Sequence, residues 1–499
     1  MPRALLSVYD KTGLIELAQG LHKLGWSLLA SGSTAKALRE AQLPVTEVAD
    51  YTGSPEMLGG RVKTLHPAIH AGLLARATDA DKQELVKNNL DYIDLVAVNL
   101  YPFTQTIADK KSTLEDAIEN IDIGGVTLIR AAAKNYSRVW LLTDPNNYSE
   151  VLKALQQKSD QSSLRKTMAA KAFALSSQYD SAISAFLAEQ ATTQLDLYPI
   201  QELRYGENPH QQATLYGYQP NAQPLGGKLI QGKPLSYNNL LDLDAAWKTV
   251  LLFSKPTVCI VKHCSPCGVA SAATTAQAFQ TALACDAISA FGGVIASNHT
   301  IDEQTVQAMG DLFVESIAAP AFTPKAIELL AQRSNCRLLE ITHKTVEPKI
   351  EWRSVNAGLL RQEVDQGDPL NTEWKVVTKR APTEQELKTL QFAWRACQTV
   401  RSNAIVLAQG DATVGIGGGQ PNRVDCVRFA VERAGVKANG SVMASDAFFP
   451  FADSIELAQK AGITAIVQPG GSRRDNEAIA AADAAGMAML FTGIRHFRH

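Results

Sequence analysis

The chain has 499 residues, more than one hydrophobic core supports, so two or three domains are expected. Apolar residues make up 45% and charged residues 20%, and 48 Lys plus Arg against 50 Asp plus Glu leave a formal net charge of -2. That balance excludes a chain-wide nucleic-acid or anionic-membrane footprint, so an anionic ligand has to be held by a local basic cluster.

The opening MPRALLSVYD reads as a strand at residues 4–8 and lacks the basic, apolar, small-residue order of a signal peptide. Leu14, Ile15, Leu17, Ala18, Leu21 and Leu24 recur on one helical face. Residues 26–30 form a second strand run, followed by Ser31, Gly32, Ser33 and Thr34 and the helix-like AKALREA. Residues 95–100 and 139–142 read as further strands, with Thr113 and Asp116 as a capping box between them. This alternation predicts a parallel sheet covered on both faces. A helical stretch around residues 168–190 closes the region, and ATTQLDLYPIQ then loses periodicity, which puts a domain boundary near residue 195. The second part is again α/β, with strand runs VCIVKH, GVIAS, NAIVLA, TAIVQ and AMLF. A charged, less periodic stretch around residues 363–380 is expected to separate two lobes, and no internal repeat is visible. No apolar run approaches the roughly 18 residues of a membrane helix. The seven cysteines begin only at Cys259, and an odd number without a dense framework fits reduced thiols and a cytoplasmic location.

Five sets of residues are candidates for chemistry. In GGRVKTLHP, residues 59–67, an open glycine backbone precedes Arg61, Lys63 and His66, which suits a phosphate or an oxyanion and equally a solvated turn. ASGSTAKAL is either an anion site at a helix start or an ordinary N-cap at Ser33 or Thr34. NLYPF and ENIDIGGVTLIRAAAKN set Tyr101, Asp122 and Lys134 beside apolar runs, with Gly124 and Gly125 permitting close approach of a ligand. A capped helix pair with Tyr101 as an anchor is the other reading. CIVKHCSPCG delivers Lys262 and His263 to a strand end ahead of a Pro–Gly turn, joining a proton carrier to a fixed charge. Its C-x-x-C raises zinc, but a second C-x-x-C and a His-x-Glu are both missing, so small buried thiols are the favoured reading. Finally SAFGG, VGIGGGQPNR and QPGGSRRD place glycine turns at strand ends, as an α/β ligand edge needs, while the closing GIRHFRH reads by itself as a frayed basic tail.

Taken together, these stretches resemble the bifunctional AICAR transformylase/IMP cyclohydrolase family of purine biosynthesis. GGRVKTLHP, NLYPF, IDIGGVTLIRAAAKN, LRYGENPHQ, SAFGG, RSNAIVLA, SVMASDAFFPF, VQPGGS and TGIRHFRH carry the resemblance, which runs from SVYDKTG nearly to the last residue. It implies a methylglyoxal-synthase-like cyclohydrolase domain over residues 1–195 and a transformylase region of two cytidine-deaminase-like lobes over 196–499. It implies Lys63, Tyr101, Asp122 and Lys134 as cyclohydrolase residues, with Lys11, Arg61 and Thr64 nearby and Ser31, Gly32, Ser33 and Thr34 on the nucleotide phosphate. For formyl transfer it implies Lys262, His263 and Asn403, with Arg204, Tyr205, Asn239, Gly293, Arg423, Phe448, Asp453 and Arg495 holding AICAR and folate. It further implies 10-formyltetrahydrofolate as co-substrate, no tightly bound cofactor, and a homodimer with transformylase sites between chains; a potassium requirement stays open. Ser265, Ser33, Tyr9 and Gly418 depart from the family's usual residues without removing a proposed catalytic group. Rival readings are an effector-binding N-terminal module on a transformylase-only enzyme, and a nucleoside deaminase, whose zinc motif is missing.

Overall fold

The computed structural model describes residues 1–109, 111–157, 160–188 and 195–499. The end of the helical stretch and the start of the aperiodic segment, residues 189–194, lie outside the described residues. The chain divides into two compact units, Met1–Leu195 and Asp196–His499.

In the first unit β1 (Arg3–Ser7), β2 (Ser27–Ala30), β3 (Thr46–Glu47), β4 (Leu95–Val98) and β5 (Trp140–Leu142) form one sheet in the order β3-β2-β1-β4-β5. Every pairing is parallel. Alternate residues of each strand face opposite sides. Leu6, Leu95 and Leu142 therefore pack with the helix Leu14–Lys23 through Leu14, Leu17 and Leu21. Leu5, Val96 and Leu141 pack on the other face with the helices Pro67–Leu74 and Gly124–Lys134 through Ile69, Leu73, Leu128 and Ile129. Each such fully buried side chain contributes about 1.5–3 kcal/mol of transfer free energy.

The second unit opens with a hairpin, β6 (Tyr198–Leu203) and β7 (Ala213–Gly217). Then come β8 (Lys228–Gln231), β9 (Thr257–Lys262), β10 (Ser265–Ser271), β11 (Gly293–Ser297), β12 (Val314–Ala319) and β13 (Arg337–Glu340). A separate hairpin follows, β14 (Ile350–Val355) and β15 (Gly358–Glu363). The rest are β16 (Lys375–Val376), β17 (Ile405–Gln409), β18 (Ala412–Gly417), β19 (Val442–Ser445), β20 (Ala465–Gln468) and β21 (Ala488–Phe491). Twelve strands make one sheet, β16-β21-β20-β19-β17-β18-β10-β9-β11-β12-β13-β8.

Read inward from either edge, the halves of this sheet match. Each has an antiparallel edge strand, three parallel strands, and an antiparallel hairpin, β9–β10 or β17–β18. A fourteen-residue helix precedes each hairpin, Tyr237–Val250 or Glu384–Cys397, and both helices start with a capping box. This corrects the expectation of no internal repeat: the duplication lies in topology and not in residue identity. Of residues 363–380, residues 364–374 connect β15 to β16, and β16 is already the edge strand of the later half. The halves join where β10 pairs antiparallel with β18 at Ala270 and Ala412. Beside that pair the Thr413 hydroxyl accepts from the Val269 N–H at 2.9 Å and donates to the Val269 carbonyl at 3.2 Å.

Candidate active sites

In the first unit the chain runs outward from β1 through β2 to β3 and then crosses back to β4 on the other side of β1, so the strand order reverses between β1 and β4. That switch point is where open α/β sheets bind ligands, at the carboxyl ends of the strands. Asn99, just after β4, clamps the loop after β1. It accepts from the N–H groups of Tyr9 (2.6 Å) and Asp10 (3.0 Å) and donates to the Asp10 carbonyl (2.9 Å). The rings of Tyr9 and Tyr101 meet edge to face at 5.3 Å, with Tyr101 43% exposed. The Asp122 carboxylate accepts from the Gly125 N–H at 2.7 Å and from the Tyr101 N–H. Burial pushes the Asp122 carboxyl above its ordinary range, against the pull of those two N–H groups. A Cβ on Gly125 would collide with Asp122, and one on Gly124 would sit 3.2 Å from Thr64 Oγ1. These glycines thus admit the protein's own side chains, which brings the Lys63–Thr64 loop against Asp122 and Tyr101.

Lys63 completes the cluster. Its Nζ lies 3.1 Å from where a Cβ of Gly32 would stand and 3.3 Å from Glu56 Oε2. Gly32, at φ +53°, opens the helix Gly32–Glu40, and the N-cap Ser31 makes no side-chain capping bond. The first amides of that helix, on Gly32 and Ser33, precede its first ladder bonds, which run from Thr34 and Ala35 to the Ser31 carbonyl. Amides, helix dipole and ammonium together make an anion site. The N-cap is therefore Ser31 and not Ser33 or Thr34. Thr34 is 3% exposed, and its hydroxyl bridges the N–H (3.2 Å) and the carbonyl (3.1 Å) of Val8, so it braces the loop and does not face a ligand. Arg61 is likewise turned away, its guanidinium paired with Glu119, which holds its pKa above the usual value. Exposed Lys11 reaches only the Tyr9 carbonyl, at 3.4 Å. Lys134 is the last residue of the helix Gly124–Lys134, about 15 Å along its axis from Gly124 at roughly 1.5 Å per residue. The structure does not bring its backbone to the Asp122 cluster.

In the second unit His263 and Cys264 are themselves the turn between β9 and β10, both at positive φ, +53° and +58°. The expected Pro–Gly turn is instead strand: Pro266–Gly268 lies within β10, with a bulge. Lys262 ends β9 and donates from Nζ to the Phe291 carbonyl at 2.7 Å, which ties it to SAFGG. Gly293 in that stretch is buried, and a Cβ there would sit 2.8 Å from the Val261 carbonyl, so it serves strand packing and not a ligand. All seven cysteines are free, and burial pushes the Cys267 thiol up to about 12. Among the described residues no three His, Cys, Asp or Glu side chains form a metal-holding group.

The His263 turn lies near the glycine loop after β18: the Cys264 thiol is within hydrogen-bonding reach of Arg401, whose carbonyl accepts from the Gly419 N–H at 2.9 Å. Asn403 faces that loop. It donates to the carbonyls of Gln420 (2.9 Å) and Pro421 (3.2 Å) and accepts from Arg423 at 2.6 Å. Arg423 is 6% exposed and spends its other donors on Ser445 and on Asp446, itself fully buried. Arg423 thus forms a buried ion pair that shapes the loop, where a substrate contact was expected. Asn239 is also structural: its carboxamide oxygen closes the capping box at Ser236, and it is 6% exposed. Arg204 stacks on Tyr205 at 5.4 Å just after β6. Phe448 is 38% exposed after β19, and exposed Asp453 starts the helix Asp453–Lys460.

The C-terminal segment is not frayed. His496 is 2% exposed and lies between Asp365 (2.6 Å) and Asp368 (2.8 Å), its ring against Trp394. The Ser402 N–H donates to the Arg498 carbonyl at 2.9 Å, and the Arg498 N–H returns to the Ser402 hydroxyl at 3.1 Å. Arg495 is exposed just ahead of these anchors, over Phe497 at 4.3 Å. Asn99 and Asp446 were missed although they lie inside NLYPF and SVMASDAFFPF, and Asp365 and Asp368 in the aperiodic stretch, because short polar residues carry no periodic signal and their partners are distant in sequence.

The family profile described as AICARFT/IMPCHase bienzyme matches residues 132–433, more than half of the chain. The chain belongs to this family. The family joins AICAR transformylase and IMP cyclohydrolase in one protein, and residues 13–127 match the MGS-like domain. A relative from Myxococcus xanthus, "Bifunctional purine biosynthesis protein PurH", is 49% identical over 99% of this chain and 100% of its own length. The protein of the same name from Chloroflexus aurantiacus is 51% identical over 100% and 98%. Family membership settles the first unit as MGS-like and parallel, and both sites just described lie on a chain of this bienzyme family.

Proposed function

We propose that the first unit closes the purine ring and the second transfers the formyl group. The chain is a bifunctional AICAR transformylase and IMP cyclohydrolase of purine biosynthesis. The observation that supports the division is the convergence of Lys63, Thr64, Tyr101, Asp122 and the Gly32 helix start at one sheet edge, while Lys262, His263 and Asn403 share another. Formyl transfer uses a folate co-substrate, here 10-formyltetrahydrofolate.

The AICAR amine is conjugated and weakly nucleophilic. His263 takes its proton as it attacks the formyl carbon, Lys262 and the glycine-loop amides stabilise the oxyanion, and the folate nitrogen leaves protonated. Positioned acid–base help is worth about 10²–10⁴ in rate. Asn403, with its carboxamide fully engaged, orients the loop. In cyclisation the carboxamide nitrogen attacks the new formyl group. The anion site holds the phosphate, Lys63 steadies the oxyanion, and Asp122 with Tyr101 moves protons as water leaves. Lys134 has no place in this reading unless its side chain reaches back along the helix. The folate leaves after each turnover, so no tightly bound cofactor is invoked, and assays in potassium and sodium salts decide the cation requirement. A cytoplasmic homodimer with shared transformylase sites completes the proposal. Lys63→Ala should release tetrahydrofolate normally while formyl-AICAR accumulates, and normal IMP formation would refute the role of Lys63.

A further inference from the structure

The His263–Cys264 turn has no glycine, although both residues hold left-handed backbone. Two-residue hairpin turns of this conformation favour Gly, Asn or Asp, because a Cβ crowds the backbone there. The duplicated half supplies an internal comparison. Its matching turn, between Gln409 and Ala412, is Gly410–Asp411, and the positive φ falls on the glycine.

What stands in for glycine in the first half is a hydrogen bond. The Cys264 N–H donates to Asp242 Oδ1 at 2.6 Å. The Cys264 thiol lies within hydrogen-bonding reach of Asp242 and Arg401. The Arg401 carbonyl in turn accepts from the Gly419 N–H at 2.9 Å, so the turn is tied to the glycine loop. Asp242 is the sixth residue of the helix Tyr237–Val250. The sixth residue of the matching helix Glu384–Cys397 is Thr389, whose hydroxyl is used within its own helix on the Gln385 carbonyl at 2.9 Å. A carboxylate thus stands behind the turn that lacks glycine and carries the Lys262–His263 pair, while the other turn relies on glycine.

We propose that Asp242 is a positioning residue for formyl transfer: it locks the His263–Cys264 turn so that the imidazole meets the glycine loop in one orientation. The proposal rests on the reading of His263 as the proton-transfer group. The test uses the full-length enzyme, with tetrahydrofolate release for transfer and circular dichroism for folding. Asp242→Ala should lower kcat for transfer about tenfold to a hundredfold, the scale of a misplaced catalytic group, with the KM for AICAR nearly unchanged. Asp242→Asn keeps the accepting oxygen and should retain most of kcat with an unaltered pH profile. Cys264→Gly relieves the turn, so adding it to Asp242→Ala should recover part of the loss; these two variants carry the test if Asp242→Ala fails to fold. Wild-type kcat in Asp242→Ala, equal loss in the Asn variant, or a shifted pH profile would each overturn the proposal. Full transfer by His263→Ala would remove the histidine's role and this proposal with it. Loss in His263→Ala alongside wild-type Asp242→Ala would remove only Asp242.

Discussion

Asp122 is half-buried beside Tyr101 and Gly125. Its carboxyl is raised by burial, so it takes up a proton at a higher pH than a free aspartate, whose value is about 3.9. In the proposed role of base in cyclisation it would act when ionised, so the rate should climb with pH through that raised value. Asp122→Asn should abolish this acid limb and lower kcat for formyl-AICAR cyclisation about a hundredfold or more. An acid limb that persists in the Asn variant would move the titration to another group. Arg423 makes the opposite case. It sits in a motif that suggests substrate binding, yet its guanidinium is buried on Asp446. Removing one partner of a buried pair strands the other and costs on the order of 3–5 kcal/mol. Arg423→Met should therefore lower the thermal midpoint by several degrees, and an unchanged midpoint with a raised KM for AICAR would return Arg423 to the substrate. The types of these residues were legible in the sequence. Their partners were not, because Asp446 and Asn99 are paired only after the chain has folded.

Strands and helices were more legible than caps and turns. Apolar runs such as TVCIVK and IVLAQ declare buried strands, and Thr113 with Asp116 forms the full capping box that its spacing suggests. The His263–Cys264 turn and the Ser31 cap were misread because local composition pointed to Pro–Gly and to Ser33. The C-terminal segment was misread for a different reason: its anchor is distant in sequence, 131 residues away at Asp365. Burial alone would lower the His496 pKa, but hydrogen bonds to Asp365 and Asp368 override it and push it up to about 9. Both aspartates are held below their ordinary range, burial opposing and His496 prevailing. Since the folded imidazole has the higher pKa, its stabilisation is complete below about 6.5 and fades as pH rises through about 9. The aspartates contribute above their ordinary range near pH 4 and lose that contribution on acidification. The segment should thus hold best between about pH 4 and 6.5 and loosen towards pH 9, contributing about 2 kcal/mol once the half-exposed Asp365 is discounted for solvent. His496→Gln should flatten the alkaline side of a thermal midpoint-against-pH curve. An alkaline slope that survives the substitution would assign the titration elsewhere.

At the scale of the whole molecule, the two like lobes implied by the resemblance left no visible repeat in residue order, because sheet order is fixed by which faces are buried, and many residue sets satisfy the same burial. Gly268 against the Ala282 carbonyl and Gly415 against the Ala430 carbonyl occupy matching tight contacts between hairpin and following helix, each with a further side-chain Cβ, of Cys285 or Ala434, 3.0 Å from where a glycine Cβ would stand. The halves therefore diverged in what they present: a Lys–His turn in one, a glycine loop beside Asn403 in the other, made adjacent by the β10–β18 pairing. The cluster proposed for cyclisation includes none of these residues and is built from residues 9–125 of the first unit. The two chemistries should then be separable in trans. Lys63→Ala should retain transfer and His263→Ala should retain cyclisation, so mixing the two full-length variants with AICAR and 10-formyltetrahydrofolate should restore IMP. It should appear after a lag, because formyl-AICAR has to cross solution from one active site to the other. The lag should shorten as the His263→Ala variant is added in excess, since capture of the intermediate is then faster. Tetrahydrofolate release without any IMP in the mixture would mean that the intermediate stays with the chain that made it.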